Sequence, residues 1–376
     1  METVEKSGFK ARMRAYFKAL PKRWFITAFS GMAQGLFVTL IAGTILATFA
    51  DKVVGLDNYF GKTLNTIASM AKSLMGAGIG IGIAHALGKN KLLVYASAVA
   101  GFVGAFADKL IVGGAPFTAL AFGAPGNPIG AYVVTMLVVE LVELYAGKTK
   151  LDIILIPLGV LVVSFAGVYV AYPFIWVVNQ LGVLIALATK ATPFVMGVVI
   201  SVVMGVLLTM PTSSAAIWIS VAKSVVEGGG ANAEYMLIAG GAATVGCACH
   251  MVGFAVASFR ENRVSGLIAQ GVGTSMLQIP NVMKKPVIML PMIISSAVLG
   301  PLSTCVFKIK CGYNGGGMGT SGFVGIIDAV TYTTGALGYV GIALLMVVLP
   351  VVLNLLISEF MRKKGWIKEG DMRLDV

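Results

Sequence analysis

Charge is what this chain has least of. Only 12% of its 376 residues are Asp, Glu, Lys or Arg, against about a quarter in an ordinary soluble domain. Two histidines and four cysteines supply no ligand set for a metal, so no cofactor is expected. The pair Cys247-x-Cys249 falls inside an apolar stretch, where residues two apart point to different helical faces, and reads as small packing residues. No nucleophile stands beside a base and no phosphate loop is visible, which argues against an enzyme. The glycine run GAGIGIGIAHALG (76–88) lacks G-x-G-x-x-G spacing and follows no strand, so a dinucleotide fold is rejected. Glycines four apart instead let membrane helices approach closely.

Apolar length is what the chain has in excess. Phe25–Ala50 holds 26 residues without one charge, and about 20 apolar residues in helix cross a bilayer core. Comparable runs recur near 92–107, 129–146, 153–178, 193–222, 235–258, 287–307 and 339–361. No soluble protein of this size could bury that surface. The expected fold class is an all-α polytopic membrane protein with about ten transmembrane helices, roughly eight firm and two uncertain, and no sizeable soluble domain.

The net charge of +12 is not a nucleic-acid signal, because it flanks the apolar runs. Seven Lys and Arg residues lie within the first 24 positions, and Arg362, Lys363, Lys364, Lys368 and Arg373 follow the last run. Such flanks mark cytoplasmic ends. Both termini are therefore expected in the cytoplasm of a multi-pass cell-membrane protein, with Lys89/Lys91, Lys148/Lys150 and Lys308/Lys310 in further inside loops. Met1–Trp24 is too basic and lacks the cleavage site of a signal peptide. Phe9, Met13, Tyr16, Phe17 and Leu20 fit an amphipathic helix on the inner surface, and a solvated basic anchor fits equally well.

Four segments are broken by glycine and proline: Val112–Gly130, Met210–Ser220, Gln270–Pro286 and Cys311–Thr320. Irregular backbone at membrane depth survives only when buried in protein or lining a cavity, and interrupted hydrophobic segments point to a transporter's binding site. Three of the four fall in the second half, which is expected to supply most of a site. If Lys308 and Lys310 are inside, strict alternation puts Arg260, Arg263, Lys284 and Lys285 outside. A re-entrant dip within 205–222 or 264–283 would resolve that conflict.

Ionisable groups inside spans are costly and hence candidates for function. His250 in GCACHMVGF is the sharpest, as a solute hydrogen-bonding group or a packed histidine. Glu140 and Glu143 share a helical face and read as an ion cluster with Lys148 and Lys150. Glu261 reads as a local ion pair with Arg260 or Arg263, or as a gate. Asp328 in GIIDAV could bind a proton or sodium. Thr212, Ser213 and Ser214 can cap the helix after Pro211 or favour a hydroxyl-rich ligand there. Gln278 and Asn281 flank Pro280 with neutral donors and acceptors, suited to sugar hydroxyls or to polar capping of the helix break. Thr320, Ser321 and Asn314 adjoin the glycine run, as ligand contacts or turn formers.

Several stretches carry a family likeness: GIGIAHALGKNKLLVYASAVAGFVGAF (80–106), KTKLDIILIPLGVLVVSFAGVYVAYPFIWVVNQLG (148–182), VVMGVLLTMPTSSAAIWIS (202–220), SMLQIPNVMKKPVIMLPMIISSAVLGP (275–301) and GMGTSGFVGIIDA (317–329). In this order they resemble the membrane-embedded IIC component of the sugar phosphotransferase system. The likeness runs to a divergent fructose-type-related branch that includes perfringolysin regulator-like membrane proteins. It implies a IIC-like transporter fold with re-entrant hairpins, a homodimer, a sugar or small polar solute, an elevator-type motion and separate IIA and IIB partners. The same motifs depart from the family at its charged positions. The family's sugar-binding Glu falls at Met276 and its Asp at Lys285; a second Asp falls at Leu207 and its Asn-Lys at Ser213-Ser214. That departure implies a permease that does not phosphorylate its cargo.

The resemblance divides the chain into a cytoplasmic basic segment (1–24), a scaffold and dimerisation half (25–190), a solute-binding half (191–361) and a cytoplasmic tail (362–376). The expected substrate contacts are Thr212, Ser213, Ser214, His250, Gln278, Asn281, Thr320 and Ser321, with Glu261 and Asp328 as gate or ion-coupling groups. A membrane sensor or regulator that keeps the fold without transport is the alternative.

Overall fold

A computed structural model describes residues 20–112, 126–210 and 214–374, and among these every regular element is helical. The amphipathic pattern of Phe9–Phe17, Pro116 and Pro125, and Thr212 and Ser213 lie outside the described residues. Two compact units divide the chain, Met1–Ile175 and Trp176–Val376.

Unit 1 contains α1 (Leu20–Ala47), α2 (Tyr59–Ser73), α3 (Met75–Ala86), α4 (Lys91–Ala105), α5 (Ala107–Val112) and α6 (Pro128–Val142), and α7 (Asp152–Ala191) begins in it. Asparagine starts three of these helices. Asn58 accepts from Gly61 N, Asn90 from Leu92 N, and Asn127 from Ile129 N and Gly130 N, the last with Pro128 in the first turn. The even-numbered glycines of α3 serve two neighbours. A Cβ on Gly82 would sit 2.2 Å from Gly31 O of α1, and one on Gly80 would sit 2.0 Å from Ser97 O of α4. Close backbone approach of this kind is the membrane use of small residues.

At one end of unit 1, Arg23 pairs with Glu140 (3.0 Å) and donates to Glu143 (2.8 Å), and Lys89 also pairs with Glu143. The carboxylates thus form an ion cluster, but not with Lys148 and Lys150. Those follow the end of α6, where Lys148 turns back onto Leu144 O.

Unit 2 contains the rest of α7, then α8 (Pro193–Thr209), α9 (Ser214–Gly228), α10 (Gly230–Ala257), α11 (Phe259–Ile268), α12 (Ile279–Lys284), α13 (Pro286–Val306), α14 (Val324–Tyr332) and α15 (Ala336–Lys363). Its spine is α10, 28 residues long and about 42 Å at 1.5 Å per residue. A helix that is apolar or small all round belongs inside a bundle, and α10 is buried along nearly its whole length.

Five described helices are long and apolar enough to cross a membrane: α1, α7, α10, α13 and α15; α2 and α3 together, bent by 51°, make up to six. Large apolar side chains such as Phe165, Tyr169, Phe174 and Trp176 stay exposed along α7, as expected of a helix solvated by lipid.

The ends of α10 define two faces of unit 2. Near its start, Lys310 pairs with Glu234 (2.9 Å), and Cys311 N donates to Leu237 O. Near its end, Arg362 donates to Ala257 O (3.0 Å), Arg260 pairs with Glu359 and Lys285 with Asp371. Lys308 and Lys310 therefore lie on the face opposite the C-terminal basic cluster, so the two groups do not share one side, contrary to the expectation. The reason is α13, whose 21 residues carry the chain from Lys285 on one face to Lys308 on the other. Arg260 and Lys285 belong with the C-terminal cluster, which leaves Lys308 and Lys310 as the basic residues that the charge rule does not group with it.

Candidate functional site

Small residues along α10 let other backbone lie directly on it. A Cβ on Gly240, Gly241 or Gly246 would sit 2.1, 1.9 and 1.9 Å from the carbonyls of Cys311, Ile309 and Ser201. Within this closely packed region His250 is wholly buried. Its ring lies over Gly205 of α8, where a Cβ would be 2.4 Å from the ring. His250 Nδ1 is 2.9 Å from Thr209 Oγ1, which is 3.0 Å from Ser275 Oγ. The other ring nitrogen, Nε2, has no hydrogen-bond partner. In either neutral tautomer one buried donor or acceptor of His250 is left unmatched, a costly state at sites without a polar purpose.

The interruptions of the second half converge here. α8 stops at Thr209, and α9 begins at Ser214, whose hydroxyl donates to Gly317 O (2.7 Å). The glycine loop 311–320 then crosses α10 at Cys247 and Ala248. Only glycine fits at Gly319, where φ is +55° and a Cβ would meet that backbone at 2.7 Å. From the far side of the loop Thr320 donates to Gly271 O (2.5 Å) and Ser321 to Gly273 O (2.9 Å). Ser214, Thr320 and Ser321 are thus tied to or across the glycine loop, and Thr320 Oγ1, 3.5 Å from Met251 Sδ, reaches the turn of α10 that carries His250. Thr209 and Ser275 complete the cluster and were not picked out from the sequence. Their signal was available: each is a hydroxyl side chain at the edge of an apolar run, next to a proline- or glycine-broken segment.

Gln278 and Asn281 take part in a different network. Gln278 Nε2 donates to Gln270 Oε1 (2.8 Å) and to Met372 O (2.9 Å). Asn281 Nδ2 donates to Gln278 Oε1 (2.9 Å) and Arg373 O (2.8 Å). Asn262 closes the set, donating to Met372 O and accepting from Leu374 N. These amides clamp a C-terminal strap whose Ile367 and Met372 are buried beside Phe254, Val282 and Met292. Lys285 adds an ion pair to Asp371 at 2.6 Å. Partial burial alone would raise the Asp371 carboxyl, but the bonds from Lys285 and Lys368 N outweigh it and hold the group below the usual carboxylate range.

The expected gate residues are both partnered. Glu261 does not pair with its neighbours Arg260 and Arg263; Arg362 reaches it with Nη2 at 2.9 and 3.0 Å from its two carboxylate oxygens. Arg260 turns instead to Glu359 (2.8 Å). Asp328 accepts from Gly312 N (2.7 Å), Gly315 N (3.1 Å) and Cys311 Sγ (3.2 Å), and so pins the glycine loop. Among the described residues no group of three His, Cys, Asp or Glu side chains is placed to hold a metal.

The model of one protein family, described as "Phosphotransferase system, EIIC", matches residues 26–374. No curated protein and no solved structure matches the chain.

Proposed function

Because this chain belongs to the phosphotransferase-system EIIC family, we propose that it is a transporter of a sugar or another small polar solute, which it does not itself phosphorylate. The observation that carries this reading is the buried His250, linked through Thr209 to Ser275 at the edges of two broken segments, with its Nε2 left without a hydrogen-bond partner. A solute hydroxyl is the kind of group that would match it, and Ser214, Thr320 and Ser321 are hydroxyls that now bond neighbouring carbonyls. Those bonds are exchangeable for bonds to a ligand at little net cost. Thr212 and Ser213 would complete the set, with Gln278 and Asn281 joining once the strap is lifted.

In this reading residues 25–190 form a scaffold and dimerisation half, and residues 191–361 carry the solute in an elevator-type motion within a homodimer. Ion coupling through Glu261 or Asp328 would require the Arg362 pair or the glycine loop to open first. Phosphotransfer would need separate IIA and IIB proteins. The termini and the strap would face the cytoplasm of the cell membrane.

The test is a thermal-shift screen of the purified protein with sugars, polyols and small organic acids, followed by uptake into liposomes without phosphotransfer partners. A ligand at 100 times its dissociation constant stabilises the bound state by about 2.7 kcal/mol. The shift should vanish in His250→Phe, and uptake should fall in the Gln278→Ala, Asn281→Ala double variant. Uptake equal to wild type in both variants refutes the site. A second reading, a membrane sensor that moves nothing, draws support from the strap, a docked segment that a cytoplasmic partner could release. It gains if ligands bind and no uptake occurs.

A further inference from the structure

The lysines that set the far face of unit 2 have no role in the proposed solute site, and the positive-inside rule does not explain them. The basic cluster of Arg260, Lys285 and Arg362 sits at the opposite end of α10. Positive charge on the face that lacks that cluster needs another reason. Lys190, Lys308 and Lys310 line one cavity of about 470 Å³, together with Glu234, Tyr235 and the hydroxyls of Thr189, Thr304, Thr333 and Thr334. That volume lies within the range of small-molecule sites.

Three ammonium groups face one carboxylate there. Glu234 is taken by Lys310 at 2.9 Å. Lys190 lies 5.9 Å from the centre of the Tyr235 ring, and among the described residues neither it nor Lys308 is paired with a carboxylate. Among the described residues the cavity lining therefore carries a net charge of +2, with Lys308 as well as Lys310 acting on Glu234. Its frame is also held in place. The Thr333 hydroxyl accepts from Lys310 N (2.9 Å) and donates to Lys310 O (3.0 Å), and Thr304 donates to Pro193 O (2.8 Å). Lys308 itself stands at φ +45°, a left-handed conformation that glycine adopts freely and lysine does not. Such strain in a side chain that faces a cavity is a mark of function.

We propose that this cavity is an anion site for a phosphate-bearing ligand, bound by Lys190 and Lys308 on the face opposite the C-terminal strap. The phosphoryl group can come from a free phosphate ester in solution or from an anionic lipid headgroup, since the recognising chemistry is the same. The site does not depend on the transport reading.

The test uses the full chain in nanodiscs of neutral phosphatidylcholine. Inorganic phosphate and glycerol phosphate are titrated at constant ionic strength, and the unfolding midpoint is followed. A parallel arm replaces part of the lipid with phosphatidylglycerol. Two variants accompany the wild type, Lys190→Gln and Lys308→Gly. The glycine variant removes the ammonium while relieving the backbone, so without ligand it should unfold no earlier than wild type. A saturable rise of the midpoint in wild type, with apparent affinity roughly tenfold or more weaker in each variant, is the expected result. A rise with the soluble anions assigns the site to a free phosphate ester; a rise with phosphatidylglycerol alone assigns it to a headgroup. No rise in either arm, or a rise of equal size in Lys308→Gly, overturns the proposal.

Discussion

Glu261→Gln removes one charge from a pair that has almost no contact with solvent. The Glu261 side chain is 3% exposed and that of Arg362 10%. The substitution keeps the volume and leaves the guanidinium only neutral acceptors, the glutamine Oε1 and Ala257 O, with no counter-charge among the described bonds. Losing one partner of a buried ion pair costs about 3–5 kcal/mol, because the other charge stays desolvated. The surviving bond to Ala257 O argues for the lower end, about 3 kcal/mol. For a unit of this size each kcal/mol moves the midpoint by about 2–4 °C, so a fall of roughly 10 °C is expected. Replacing both partners, as Glu261→Leu with Arg362→Met, should recover most of that loss. The assay is thermal unfolding of detergent-purified protein by tryptophan fluorescence, on wild type, both single variants and the double variant. A fall of less than about 2 °C in Glu261→Gln, with single effects that simply add, would show that the pair is solvated and refute the reasoning.

Three further outcomes follow from the same structure. Gly246→Ala places a methyl carbon 1.9 Å from Ser201 O, so α8 and α10 must separate; the expected result is loss of the folded protein, read by size-exclusion chromatography. Asp371 binds its proton less readily in the docked strap than in a released one. Docking is therefore fully supported at pH values above the ordinary carboxylate pKa of about 3.9 and weakens as pH falls through that value toward the docked one. Limited proteolysis of the strap should stay slow from pH 8 to about pH 5 and quicken below about pH 4, and Asp371→Asn should remove that step. Finally, Lys308→Cys and Arg260→Cys, each in a Cys305→Ser background, should react with an impermeant maleimide from opposite sides of the membrane, since the remaining cysteines 247, 249 and 311 are buried. Labelling of both from one side would overturn the assignment of faces.

Much of this architecture was legible in the sequence because a bilayer leaves little freedom: an uncharged run of 26 residues from Phe25 has one stable use. The broken segments were legible for the same reason, and His250 stood out as an ionisable group within an apolar run. Pairing was not legible. Glu261 meets Arg362, 101 residues away, rather than the arginines beside it, because packing of α15 on α10, not sequence distance, decides which charges share a dry site. The chemistry of Gln278 and Asn281 fits solute hydroxyls and the capping of a helix break equally well. The same amides serve equally well to bind backbone carbonyls, and Met372 O and Arg373 O occupy them. That Arg260 and Lys285 share one side, with Lys308 across α13 from them, follows from counting spans; that the C-terminal cluster sits with Arg260 and Lys285 does not, because it rests on the pairs Arg362–Glu261 and Lys285–Asp371.

The seams of α3 bear on how unit 1 holds together. Gly78 and Gly82 meet α1, and Gly76 and Gly80 meet α4, all at backbone distance. No rotamer is frozen when such a seam closes, since glycine has no side-chain entropy to lose. In hydrocarbon the seam gains nothing from water leaving it either; dispersion and Cα–H···O contacts hold it. Salt and urea act on charges and on hydration, and neither is present there. The three helices should thus behave as one stiff plank, with no second packing to slip into and with hydrocarbon chains, rather than aqueous cosolutes, as the agents able to part them.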